Sequence, residues 1–348
     1  MSGTLDGARA ARPGTNVTHA RLVTLNYGLD WLSALAFAGE LLPALLASDA
    51  AAGAHPRVRA ALAGMRPGDI GPATFCDAFG AGGEATVDGR AIYARDFQLP
   101  TAQVFQLYQA MTVYVASDGR RPLVCAAATA FVGCMTAMND AGVVAGVDTL
   151  RSAAGAPSAP GFNSILLVRH VGGAANDTAG ALDTIVAAAR GCPYLYSVLD
   201  AAGAGAIVEA GAYDAGSAVP DTLSYITDPA LLALLPDAAF LAAHSAPDYR
   251  HGVYVRPMGY EIDPAFLAFN PGLFARAGMP YNASAFGPAG SVFPDFEADR
   301  ATDNSGLSAR YFAVARGVPA DSILVSNFAL TPQVRRKYNM RITNANVT

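Results

Sequence analysis

Cys76 and Arg95 are the residues in this 348-residue chain best suited to covalent chemistry. The stretch FCDAFGAGGEATVDGRAIYARDFQLP, Phe75 to Pro100, opens on the cysteine within a run of small residues. An extended segment, Glu84 to Val87, leads to Asp88-Gly89, a pair that favours a tight hairpin turn because both central positions tolerate positive φ. A second segment, Arg90 to Phe97, returns from the turn. Antiparallel strands joined there bring their far ends together, which places Cys76 near Arg95 and Asp96. A guanidinium beside a thiol favours the thiolate, and the thiolate is the nucleophile. Read without chemistry, the same residues make a hairpin with a buried cysteine and a surface arginine.

The elements that must hold this pair come from a chain with room for a large core. Apolar residues make up 52% and charged residues 15%, with a net charge of −5. Nothing is basic enough for a nucleic-acid footprint. Four cysteines in a chain this long are not a disulfide framework. Cys125, Cys134 and Cys192 lie among apolar or small residues and are expected to be buried thiols. No C-x-x-C pair occurs, so neither zinc nor any other metal or cofactor is expected. Residues 1–20 lack the apolar core of a signal peptide. The run from Trp31 to Leu46 is broken by Glu40 and Pro43 and falls short of the ~18 apolar residues that span a bilayer. The reading is therefore of a soluble chain, cytoplasmic by default, unless a leader lies upstream.

Residues 1–21 show no period and are expected to be a disordered arm. Residues 22–75 read as helix and loop, with leucines at helical spacing from Leu29 to Leu46 and Pro43 suited to a helix's first turn. Alternation at Gln109 to Ala116 and the run Leu123 to Ala130 predict strands. Asn139-Asp140-Ala141-Gly142 turns between apolar segments within Ala137 to Val147. Ile165 to Val168 begins an apolar segment, read as a strand that ends before His170. Asp177 or Thr178 caps a helix running to Arg190. Tyr194 to Leu199 and Ala206 to Glu209 make another hairpin, and Ser322 to Ser326 a late strand. Hairpins early, helices in the middle and strands late give an α+β class.

The residues Cys76, Thr86, Asp88, Gly89, Arg95, Asp96 and Phe97, with Met138-Asn139-x-x-Gly142, resemble the motifs of the cysteine N-terminal nucleophile (Ntn) hydrolases. The group in question includes choloylglycine hydrolase, penicillin V acylase and acyl-coenzyme A:6-aminopenicillanate acyltransferase. The resemblance runs over roughly residues 22–340, and the typical family chain extends further at both ends. It implies a four-layer αββα sandwich, with 22–75 as a helical leader or propeptide and 76–348 as a catalytic domain incomplete at its C-terminus. A sheet edge would then need covering by a further segment or by a second copy of the chain.

The resemblance also implies a chemistry. The Phe75–Cys76 bond would be cut by the chain itself, and the new α-amine, with an unperturbed pKa of about 7.7–8.0, would take the thiol proton. Arg95 would hold the thiolate and the substrate carbonyl. Asp96 would hold the amine or Arg95, although the choloylglycine pattern puts its carboxylate three residues after the arginine, where this chain has Gln98. Asn139 would either donate to the tetrahedral oxyanion or merely build its turn. Asn327, with Asn270 as competitor, matches the family's late asparagine, and Arg310 matches a late arginine out of order. The implied activity is hydrolysis or transfer of an acyl group from a small acylated amine. The aromatic-rich region after residue 253 would supply an apolar acyl pocket. None of the five histidines has a strong claim, though a papain-like Cys/His pair stays open. So do an inactive relative serving as a structural or binding protein, and a phospholipase B-like or N-acyl lipid hydrolase.

Overall fold

The computed structural model describes residues 1–37, 76–96, 107–149, 161–191, 194–210, 253–259 and 317–326. Two antiparallel sheets and a helical layer organise them. The larger sheet orders its strands β3-β4-β5-β6-β7-β8-β9, in chain sequence. These are β3 (Gln109–Tyr114), β4 (Leu123–Ala128), β5 (Thr136–Asn139), β6 (Val144–Thr149), β7 (Tyr194–Leu199), β8 (Gly205–Ala210) and β9 (Val253–Pro257). The smaller sheet puts β1 (Asp77–Ala81) between β2 (Ile92–Asp96) and β10 (Ile323–Ser326).

Side-chain alternation sends each strand of the larger sheet two ways. Leu123, Cys125, Ala137, Ala145 and Val147 are buried against the helices α3 (Ser164–Ala174) and α4 (Thr178–Ala187). Gly172 of α3 lies so near that an added Cβ would stand 3.0 Å from that of Ala137. The opposite face meets the smaller sheet: β1 touches β6, and β10 touches β7 and β8. Covered on both faces, β7 has all six residues buried, YLYSVL, as a strand enclosed from both sides must.

Sheets and helices together give the α+β class. Three layers are visible among the described residues, in the order small sheet, large sheet, helices. The fourth layer that the resemblance implies is not among them, and of the stretch 22–75 expected as a leader only 22–37 are described, as part of a helix. No helix among the described residues is long and apolar enough to cross a membrane.

Several expectations need correction. The arm expected over 1–21 carries a helix, α1 (Ser2–Ala11), and α2 (His19–Phe37) starts inside it. Alanine and arginine are strong helix formers, and Leu5 is buried. Helix α2 docks through polar groups spaced four apart. Buried Asn26 donates to the Ala130 carbonyl (3.2 Å) and accepts from the Val132 amide (2.7 Å). Asp30 accepts from the Ser164 amide and hydroxyl at the start of α3, where a carboxylate also meets the positive end of the helix.

The apolar segment from Ile165 belongs to a helix. Asn163 caps it, accepting from the Leu166 amide at 2.9 Å. His170 thus lies on α3, stacked on Phe162; burial and then Arg120 lower its pKa. Asp177 caps α4 as expected, accepting from the Gly180 amide. Helix α4 ends at Ala187 rather than Arg190, whose buried guanidinium donates to the carbonyls of Ile185 (2.6 Å) and Ala188 (2.9 Å) at that end. Cys125 and Cys134, expected as thiols, form a disulfide with Cα atoms 5.2 Å apart. The turn between β4 and β5 brings them within reach, which spacing alone did not suggest. Cys192 and the helical segment expected after Phe37 lie outside the described residues.

Candidate active site

The hairpin that carries Cys76 differs from its sequence reading in one respect. Its first strand is β1, directly after the cysteine, not Glu84 to Val87. Residues Gly83–Ala85 form a 3-10 turn, and the connection runs from 82 to 91. Gly83 and Gly89 both take left-handed backbone, with φ +53 and +73, and close the loop through the Gly83 amide to the Gly89 carbonyl. Val87 is fully exposed, so no burial rewards a strand there. The ladder pairs Asp77 with Asp96 and Ala78 with Arg95. Cys76 therefore sits one residue beyond the paired end, where the simpler hairpin would also have put it.

Cys76 keeps its thiol and is 2% exposed. Its side chain hydrogen-bonds with Arg95, whose own side chain is 4% exposed. From Arg95, Nε donates to Asp148 Oδ1 at 3.0 Å, and Nη2 donates to the Val147 carbonyl. Asp148 is fully buried. Burial opposes the charge on Arg95, yet Cys76, Asp148 and Tyr93 together hold the guanidinium above its ordinary range.

Tyr93, two residues before Arg95 on the same face of β2, meets Ser197 of β7 hydroxyl to hydroxyl at 2.6 Å. Burial first and Asp148 second push its phenol pKa up, so it stays neutral. Gly146 of β6 makes the room. A Cβ there would run into the Tyr93 hydroxyl and stand 2.9 Å from Arg95 Cδ. Beside Tyr93, a cavity of about 380 Å³ opens between the sheets, lined by Met111, Val124, Met138, Val144 and Leu199 among others.

Of the residues singled out in the sequence, Cys76 and Arg95 come together. Asp96 lies at the paired end of β2, and its side chain is outside the described set. Asn270, Asn327 and Arg310 are outside it too, although β10 ends at Ser326 opposite Ala78. Much of the region after 253 is likewise outside. Asn139 does not join the cluster. It shares with Ala137 the face toward the helices, whereas Gly146 and Asp148 point the other way.

Every arm of the Asn139 amide is in use. Oδ1 accepts from the amides of Ala141 (3.1 Å) and Val143 (3.0 Å), and Nδ2 donates to the carbonyls of Gly172 (3.0 Å) and Ala175 (2.8 Å). We expect Asn139→Ala to lose about 2–4 kcal/mol of stability, since it strands several buried polar groups. Alkylation of Cys76 in the folded variant should match wild type. Urea melts and mass-spectrometric labelling check the two halves.

Asp148, Tyr93 and Ser197 were missed. Asp148 carried a signal: one charged residue inside the apolar run VVAGVDT, which tertiary contacts had to pair or solvate. Among the described residues, no three His, Cys, Asp or Glu side chains converge as a metal site would require.

Comparison with known proteins adds a line of evidence from a different stretch of chain. A family model described as acyl-coenzyme A:6-aminopenicillanic acid acyl-transferase matches residues 100–226. The match begins after the Cys76 hairpin and supports the same Ntn-hydrolase group. An uncharacterized protein of Archaeoglobus fulgidus is 29% identical over 215 residues, covering 61% of this chain and 32% of that protein. The match thus spans about a third of that relative's length. A solved Caenorhabditis elegans N-acylethanolamine-hydrolyzing acid amidase ortholog aligns with a TM-score of 0.31 and 12% identity. That alignment covers 38% of this chain and 59% of the amidase, too slight a likeness to carry fold or function across.

Proposed function

We propose that this relative of the Ntn-hydrolase group cleaves or transfers an acyl group from a C–N amide bond through a thioester on Cys76. The observation that carries the reading is the buried thiol in hydrogen-bonded contact with the Arg95 guanidinium. A cation there favours the thiolate and sits where it would polarise a carbonyl. The order of events follows the chemistry. The precursor Cys76 attacks the Phe75 carbonyl, the peptide nitrogen leaves as the α-amine of Cys76, and water frees residue 75 from the ester-linked sulfur. The new amine then takes the thiol proton during attack on substrate and returns it to the departing amine.

Asn327, next in sequence after the end of β10, and Asp96 are proposed to serve the oxyanion and the α-amine. The apolar lining beside Tyr93 supports an apolar acyl group, and the substrate is a small acylated amine. The deep burial of Cys76 favours a second reading, in which the chain keeps this fold unprocessed and inactive.

Intact mass and N-terminal sequencing of purified protein decide between them. The enzyme reading expects a new terminus at Cys76 that disappears in Cys76→Ala, with an acyl adduct on Cys76 after exposure to an activated acyl probe. A chain that stays whole and unlabelled would leave only the inactive reading.

A further inference from the structure

The cation beside Cys76 is shared. Asp148 takes the Nε edge of Arg95 at 3.0 Å and the Val147 carbonyl takes Nη2, so the fork of donors is pinned from β6 while the same guanidinium hydrogen-bonds the sulfur. We propose that Asp148 is a positioning residue that orients Arg95 and, as a second anion on the same guanidinium, holds back ionisation of the Cys76 thiol. This rests on the reading of Cys76 as nucleophile.

The physical ground is that two anionic groups on one buried cation weaken each other's ionisation, while a lone cation would favour the thiolate without opposition. Asp148 is fully buried, with no bulk water to screen it. The described titratable side chains that interact with Cys76 include Arg95 and Tyr93 from β2, and Asp148 from β6 reaches it through the shared guanidinium. Tyr93 remains neutral, and the side chains of Asp77 and Asp96 are outside the described set. An arginine held by Asp148 presents a fixed edge to the sulfur. An arginine released from it would follow the thiolate and lose its aim at a substrate carbonyl.

Asp148→Asn keeps the shape and removes the charge. The test is the pH profile of iodoacetamide labelling at Cys76, read by peptide mass against the matching Cys76→Ala chain. In Asp148→Asn the midpoint should fall by about one pH unit, raising the labelling rate near pH 6 by about tenfold, while acyl turnover falls. A residue that only supported the fold would not drive those two readouts in opposite directions.

A profile superimposed on wild type, or one moved to higher pH, overturns the proposal and leaves the nucleophile reading intact. Absence of any Cys76-dependent labelling in the wild type overturns both. Should Asp148→Asn fail to fold, the nitrogen NMR signal of wild-type Arg95 Nε decides instead. A signal that moves as Cys76 titrates shows the guanidinium shared, and a signal that ignores that titration overturns the sharing.

Discussion

Arg95→Met is expected to silence Cys76 and to weaken the fold at the same time. Removing the guanidinium leaves the Asp148 carboxylate buried without its cation. Breaking a buried pair from one side typically costs about 3–5 kcal/mol. The loss should depend on pH in a predictable direction. Burial without a compensating cation raises a carboxyl pKa above its unfolded value of about 3.9. A group whose folded pKa is raised contributes stability at low pH that disappears as pH climbs through that folded value. Urea melts should therefore show the smallest deficit near pH 4 and a growing one toward pH 8. Labelling of Cys76 at pH 7 should drop by about tenfold or more, because the thiolate has lost its cation. The double variant Arg95→Met/Asp148→Leu should recover much of the stability, since no lone charge remains, and none of the reactivity. Recovery of both would mean that Arg95 acts only through the fold.

Gly146→Val is the second substitution expected to have a large effect. Its Cβ alone would collide with the Tyr93 hydroxyl and approach Arg95 Cδ to 2.9 Å and Ser197 Oγ to 3.2 Å. Overpacking at a site closed on three sides costs about 1–3 kcal/mol or more. Here it also separates Tyr93 from Ser197 and pushes Arg95 off Asp148. If the proposed function holds, autoprocessing and acyl transfer should both fall to background in protein that still shows native circular dichroism. Gly146→Ala is the finer probe. Its cost should shrink in a Tyr93→Phe background, where the colliding oxygen is gone, and a double-mutant cycle of thermal melts measures the coupling. If the two substitutions add without coupling, the clash does not run through Tyr93.

Much of the fold was legible because local rules and tertiary context agreed. The hairpin around Asn139 to Gly142, the capped helix after Asp177 and the pair of strands flanking Asp200 each combine an apolar period with a turn or cap residue. Where they disagreed, the sequence misled. Glu84 to Val87 alternates like a strand, yet the fold buries none of it deeply. Ile165 to Val168 is apolar enough for either element, and the Asn163 cap decides for helix. Residues 2–11 carry one leucine, Leu5, and it is all that α1 buries, too little apolar surface to mark the helix in the sequence.

The candidate site divides the same way. Cys76 and Arg95 could be brought together from sequence alone, since they lie on one hairpin and strand pairing is a local geometry. Of the residues that complete their surroundings, Tyr93 lies on the same hairpin, whereas Gly146, Asp148 and Ser197 lie far downstream of Arg95, on β6 and β7. No local periodicity reports which strand of one sheet will face which strand of another. Sequence therefore determined that a thiol and a guanidinium would meet. The packing of the two sheets decided that Asp148, and not Asn139, would share that guanidinium. The reason is the two-residue period of a strand, which turns odd and even positions to opposite faces and leaves the choice of face to whatever packs against each.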